Sequence, residues 1–234
     1  MIAGTVILAN GDFPKRGGAA WKLLAEATRV VCCDGAADAY RRRFRKWPAV
    51  IVGDLDSIAG GSRRSGTDRR PSAGGAVRPG PHTSQPPVCV HIPDQDTNDL
   101  EKAMAYCAKQ GWKSPVIVGA TGKREDHALG NVFRALDYGC EIVTDTGRFV
   151  PVCGRATFKV AKGTAVSIFA PDPKTRMTSK GLEWPLDGVR FKNLYCATLN
   201  RATGSRVMLT ATRPVSVFIA TTDERSRRRI SKVL

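Results

Sequence analysis

Three short runs near the start of the chain constrain its fold more than any other feature: TVILAN (5–10), RVVCCD (29–34) and AVIVGD (49–54). Their apolar residues do not alternate with polar ones, which is the pattern of strands covered on both faces. Between them lie GAAWKLLAEA (18–27) and GAADAYRRRFRK (35–46), both with helical character. Strand, helix, strand, helix, strand predicts a parallel sheet with helices packed on its faces. VCVHI (88–92), SPVIVGA (114–120) and CEIVT (140–144) extend the series. Leu100, Ala103, Met104 and Cys107 predict one buried helical face, and Leu129, Val132, Phe133 and Leu136 a second. Asn98 is placed to cap the first of these helices with Glu101 completing a capping box, and Gly139 to end the second.

Beyond about residue 145 the helical period disappears. RATFKV, TAVSIFA, GLEWPL, RVMLTA and PVSVFIA are short strand-like runs separated by Gly, Pro, Asp and Asn. The expected fold class is α/β: a parallel Rossmann-like sheet domain over 1–145, followed by a small all-β sandwich or partial barrel over 146–224. Residues 225–234 form a basic tail.

Residues 59–87 interrupt the first unit. They include six Gly, five Pro and five Arg, and Val77 is their only large aliphatic residue. Such a segment buries too little apolar surface to offset its ordering entropy. It reads as a disordered insertion; a shifted reading frame of a GC-rich gene would give a similar composition. This segment carries net +4 and the tail net +5, out of +16 for the 234-residue chain. The basicity therefore says little about the folded core. Nucleic-acid binding is disfavoured, because aromatic residues make up 7% and no reader motif is present.

Seven cysteines at irregular spacing, with no Cys-x-x-Cys, argue against a disulfide framework or a structural zinc site. The N-terminal MIAGTVILANGDFP lacks a basic region and a cleavage-site pattern, and no run approaches the length of a membrane span. The expected location is the cytoplasm, with no membrane partner.

Acidic residues concentrate just after the strands: Asp34 and Asp38, Asp54 and Asp56, Asp94, Asp96, Asp99 and Glu101, then Glu125 and Asp126. In an open parallel sheet, the C-terminal ends of the strands share the edge where ligands bind. Carboxylates crowded on one rim repel unless a cation offsets them, and Mg²⁺ takes one or two carboxylates together with water and substrate phosphates. DQDTND departs from the calcium-loop pattern, with Asp99 where a Gly is required. GATGK departs from the P-loop, with Ile117 and Arg124 at defining positions. GATGKRED still offers main-chain donors with Lys123 and Arg124 to a phosphate. His127 reads as structural.

ILANGDFP, CDGAAD, VGDLDSI, DQDTNDLEKA and GATGKREDHALGN, in that order, followed by GLEWPL and TLNRAT, resemble the thiamine pyrophosphokinase family over nearly the whole chain. The resemblance implies transfer of a pyrophosphoryl group from ATP to thiamine, giving thiamine diphosphate and AMP. It further implies Mg²⁺ and a homodimer whose active sites lie between the α/β part of one subunit and the β part of the other. By motif match, Asp34, Asp54, Asp56 and Asp99 carry the chemistry, with Asp54, Asp56 and Asp99 as metal ligands. Asn10, Asp96, Thr97, Lys123, Arg124, Asp126 and Asn131 match ATP-binding positions, and Trp184, Thr198 and Asn200 match thiamine-binding positions. Two features depart from the family pattern. Leu199 precedes Asn200 where Ser is frequent, and Asn98 stands where the acidic motif commonly has Thr. Other readings are a weakly active homologue, or another Mg²⁺-dependent nucleotide hydrolase or phosphotransferase.

Overall fold

The structure, a computed structural model, describes residues 4–55, 86–94 and 96–221. Asp56, nearly all of segment 59–87 and the basic tail lie outside the described residues. The chain runs β1 (Thr5–Leu8), α1 (Ala19–Glu26), β2 (Arg29–Cys33), a 3₁₀ turn (Asp34–Ala36), α2 (Ala37–Phe44), β3 (Val50–Gly53), β4 (Val88–His91), α3 (Asp99–Lys109), β5 (Val116–Val118), α4 (Glu125–Asp137) and β6 (Ile142–Val143). It continues as β7 (Gly147–Lys159), β8 (Ala165–Phe169), β9 (Met177–Lys180), β10 (Ala197–Arg201) and β11 (Arg206–Ala220).

Strands β6, β5, β1, β2, β3 and β4 lie side by side in that order, all parallel. Their unalternating sequences follow from burial on both faces. Ile7, Val31, Val52 and Ile117 meet Leu100, Ala103 and Met104 of α3 and Val132 and Ala135 of α4 on one side. Val6, Leu8, Cys32, Ile51 and Val118 meet Ala20 and Leu24 of α1 and Tyr40 of α2 on the other. The chain builds outward from β1 through β4, then returns to place β5 on β1's other side. The crevice at the C-terminal ends of β1 and β5 is therefore the topological switch point, where such sheets bind ligands.

The two-unit expectation holds only in part. β6 pairs antiparallel with β7, so a single mixed sheet runs through the molecule. β7 and β11 are long and pair along their length, with an irregularity between Ala211 and Val215. β9 joins the first half of β11, β8 the second half, and β10 pairs with β8. A bridge from Leu182 to Ala202 brings the segment after β9 back to the end of β10. These strands enclose a separate core containing Phe158, Ile168, Phe191, Leu209 and Val217.

Two helix expectations need revision. Asn98 caps α3, its Oδ1 accepting from Glu101 N at 2.9 Å. The Glu101 carboxylate does not complete the box but pairs with Arg134 of α4. On α4 the buried face is Asn131, Val132, Ala135 and Leu136, while Leu129 is exposed. Gly139, at φ +64°, ends that helix as expected: Gly139 N donates to Leu136 O and Cys140 N to Ala135 O. Among the described residues no helix is long and apolar enough to cross a membrane.

Candidate active site

A cleft of about 400 Å³ opens at the switch point, lined from β1, β2, β3, α3 and the β5–α4 loop. Asn10, just past β1, links three strand ends. Its Oδ1 accepts from Lys123 Nζ at 2.8 Å, and its amide lies against Gly35, where a Cβ would come within 2.2 Å of Nδ2. Lys123 holds a left-handed backbone at φ +57°, an uncommon conformation for a non-glycine residue and one that clusters at functional turns.

The carboxylates gather across the cleft. Asp34 opens the 3₁₀ turn after β2 and is buried, Asp54 follows β3, and Asp99 is the first residue of α3. Gly53 lies between two of them. A Cβ there would stand 2.6 Å from Asp34 Cβ and 3.3 Å from Asp99 Cγ. Burial raises the Asp99 carboxyl above its ordinary range; Lys102 opposes the rise, and the negative charges of Asp54 and Asp34 add to it. Such a group is easier to ionise beside a cation. Among the described residues, no three His, Cys, Asp or Glu side chains close around one point to form a metal cage. The hard oxygen donors do suit a divalent cation that takes only one or two carboxylates and keeps open positions for water and phosphate.

The approach to α3 is internally braced. Thr97 Oγ1 donates to Asp94 Oδ2 at 2.5 Å and Asp96 N donates to Asp94 Oδ1 at 2.9 Å, so the Thr97 hydroxyl and the loop backbone hold the Asp94 carboxyl below its usual value. Thr97 lines the cleft, while Asp96 is exposed and does not. Asn131 bridges two elements: its Oδ1 accepts from Asn98 Nδ2 at 3.2 Å and its Nδ2 donates to Ala120 O at 2.9 Å. It lies on the cleft wall, with both polar atoms engaged by protein. At the mouth, Arg124 grips Asp126 through Nε (3.1 Å) and Nη2 (2.6 Å), and these bonds bring the Asp126 carboxyl down to about 2. Arg124 lines the cleft and Asp126 stands behind it. His127, read as structural, is exposed on the cleft wall.

Lys102, which the sequence reading passed over, also faces this cleft. Its side chain is only 5% exposed and its Nζ lies 3.6 Å from Asp99 Oδ1. The available signal was its i+3 spacing from Asp99, which stacks the two on one helical face.

The remaining predicted positions lie in the β region. Asn200 is buried and clamps the backbone of Trp184, donating from Nδ2 to Trp184 O at 2.7 Å and accepting at Oδ1 from Trp184 N at 3.2 Å. Oδ1 also accepts from Arg201 N at 2.9 Å. The clamp presents the Trp184 ring at 52% exposure, beside a Leu199 that is 82% exposed with φ +63°. Thr198 Oγ1 donates to Tyr195 O at 3.0 Å. None of Trp184, Thr198 and Asn200 lines the rim cleft.

A carboxylate rim, a basic loop at a sheet switch point and an exposed tryptophan on an appended β region fit a transferase of the kinase class. More narrowly, the chain belongs to the thiamin pyrophosphokinase family. The family model "Thiamin pyrophosphokinase, catalytic domain" matches residues 20–143, and "Thiamin pyrophosphokinase, substrate-binding domain" matches residues 147–218. Thiamin pyrophosphokinase 1 of Caenorhabditis elegans is 25% identical over 226 residues, which is 88% of this chain and 85% of that protein. The fold is similar to that of a crystal structure of a thiamin pyrophosphokinase family protein from Enterococcus faecalis (TM-score 0.68, 14% identity, 94% of this chain and 100% of that one). It is also similar to thiamin pyrophosphokinase from Candida albicans (TM-score 0.65, 13% identity, 93% and 89%).

Proposed function

We propose that this chain transfers a pyrophosphoryl group from ATP to the hydroxyl of thiamine, giving thiamine diphosphate and AMP. The observation that carries this is the coincidence of the family's catalytic region with an acidic, cation-ready rim at the sheet's switch point. Residues 1–145 act as the nucleotide-binding unit and 146–224 as the thiamine-binding unit. Asp54 and Asp99, with Asp56, would hold Mg²⁺, and Asp34 lies across Gly53 from Asp99. The cation, when bound, neutralises charge on the polyphosphate and makes its β-phosphorus more electrophilic.

The protein's own groups do the positioning. Asn10, Thr97, Lys123 and Arg124 receive the nucleotide, with Asp96, Asp126 and Asn131 supporting the loops that carry them. Thiamine's hydroxyl oxygen bonds to the β-phosphorus as the bond from that phosphorus to the α–β bridging oxygen breaks. AMP leaves with the bridging oxygen, and the hydroxyl proton passes to a carboxylate of the rim. Trp184 offers its face to the cationic thiazolium ring, with Asn200 and Thr198 beside the pyrimidine. The test is direct: chain, ATP and Mg²⁺ should release AMP only when thiamine is added. AMP or ADP formed without thiamine would instead support a nucleotide hydrolase.

Because Trp184 and Asn200 stand apart from the rim cleft of their own chain, we assign the working site to two chains of a homodimer. Seven free thiols fit a cytoplasmic setting. Trp184→Ala should raise KM for thiamine by about 2- to 30-fold, the value of a cation–π contact, with KM for ATP unchanged. At thiamine far below KM, where Trp184→Ala homodimers turn over slowly, mixing Trp184→Ala with Asp54→Asn subunits should add about a quarter of wild-type activity to that residual rate, since half the dimers then contain one intact shared site. No recovery on mixing, under conditions where subunits exchange, would place each site within one chain.

A further inference from the structure

We propose that Leu199 is a specificity-determining residue, its aliphatic side chain meeting the pyrimidine end of thiamine by apolar contact, so that this ring is read by shape rather than by hydrogen bonds. This rests on the thiamine reading of Trp184 and Asn200 above. Among the described residues Leu199 is the most exposed large apolar side chain, at 82%. Its backbone is left-handed, at φ +63°, a conformation that costs a leucine free energy and that glycine adopts freely. The strain sits where the register of β10 on β8 shifts, between Ala197 and Asn200. Such bulges re-aim side chains and are frequent beside active sites. Leu199 N donates to Ser167 Oγ at 3.3 Å, which ties the irregular stretch to β8. Strain and apolar exposure thus coincide at one residue, directly before the Asn200 that holds Trp184. Burial of the leucine against a ligand recovers the cost of its exposure.

The polar side chains on either side are committed to the protein. Thr198 gives its hydroxyl proton to Tyr195 O at 3.0 Å. Asn200 is buried, and the Trp184 backbone engages both ends of its amide. The surface left for a ligand is therefore largely apolar: Leu199, with the exposed Trp184 and Tyr195. A site that pairs with a substrate's amino group rejects an analogue lacking it by about 10⁴- to 10⁵-fold, because its own polar groups are then left unpaired. An apolar site separates isosteres by only about a hundredfold. This chain should accordingly accept a thiamine whose pyrimidine amino group has been exchanged for oxygen.

The experiment is AMP release by the full-length protein with ATP and Mg²⁺, comparing thiamine with its 4-oxo analogue. Wild-type kcat/KM should differ between the two by no more than about a hundredfold. Leu199→Gly relieves the backbone strain and removes the contact. Its melting temperature should stay close to wild type, since relief of the left-handed strain offsets the greater freedom of the unfolded chain. Its KM should rise about tenfold for thiamine and by the same factor for the analogue, in line with the burial of a leucine side chain, while KM for ATP does not move. Leu199→Met keeps an apolar chain at the position and should stay within about threefold of the wild-type KM for thiamine. Unchanged KM for thiamine in Leu199→Gly, an equal rise for ATP, a Leu199→Met as impaired as Leu199→Gly, or a wild-type preference for thiamine beyond about a hundredfold would overturn the proposal. So would dissociation of a wild-type dimer by Leu199→Gly in sedimentation, which makes Leu199 an interface residue. If Leu199→Gly does not fold by circular dichroism, Leu199→Asn, which also tolerates a left-handed backbone, takes its place, and failure of both overturns the proposal. A wild-type chain that releases AMP with neither substrate removes the thiamine reading itself, and Leu199's role with it.

Discussion

Asp54→Asn will lower kcat by about two to three orders of magnitude, the loss typical when one electrostatic contact to the transition state is removed. It will do so without unfolding the protein. Asp54 stands at a strand end beside Asp99, and its charge is one of those that make ionisation of Asp99 harder. Removing a like charge from that group relieves repulsion in the metal-free protein. The melting temperature without Mg²⁺ should therefore hold or rise slightly. The stabilisation gained on adding Mg²⁺ should shrink, because a ligand stabilises only in proportion to its affinity for the folded state. Thermal melts with and without Mg²⁺, paired with AMP-release rates, check both halves. A variant that melts many degrees lower yet keeps full turnover would make Asp54 a turn-forming cap rather than a site residue.

Gly53→Ala should be damaging to both stability and activity, although it adds one methyl group. The new Cβ would stand 2.6 Å from Asp34 Cβ and 3.3 Å from the Asp99 carboxyl. Neither neighbour yields easily. Asp34 is buried in the turn after β2, and Gly53 itself is fixed in β3, its carbonyl accepting from Ile92 N at 2.9 Å. Overpacking of this kind costs about 1–3 kcal/mol, and displacement of Asp34 and Asp99 should lower kcat at least about a hundredfold, since misplacement by about 1 Å has that effect. Chemical denaturation and steady-state kinetics measure the two effects. Full stability with full activity would show that the contact at Gly53 does not set the spacing of the carboxylates.

The α/β half was legible from local pattern. Strands buried on both faces must be apolar without alternation, and packed helices must repeat at 3.6 residues, so β1, β2, β3 and α3 declare themselves residue by residue. The acidic rim was legible for the same reason: once the strands are parallel, residues just past their ends must share an edge. The order of the strands was not. The pairing of β6 with β7, which merges two expected sheets into one, is made by backbone hydrogen bonds, and side-chain pattern does not record which edge a strand will join. The inward face of α4 departs from the apolar period because Leu129 suits that period while Asn131 is the residue turned inside. Asn131 is buried through bonds to Asn98 and to Ala120, partners 33 and 11 residues away.

Lys102 shows the same division at a single position. Its charge and helical setting point to the solvent face, since an isolated lysine gains by staying hydrated. In the folded molecule it faces a wall of carboxylates contributed from separate elements, and that wall makes burial tolerable. Hydrophobic periodicity and the chemistry of strand-end loops are properties of contiguous residues, so the amino-acid sequence alone specified the layered sheet, the acidic edge and the family resemblance. The spacing of Asp34, Gly53 and Asp99, the inward turn of Lys102 and the separation of Trp184 from the rim depend on residues distant in the chain meeting in space. Charge compensation and close packing are pairwise quantities, and they acquire values only when the tertiary fold brings the pairs together.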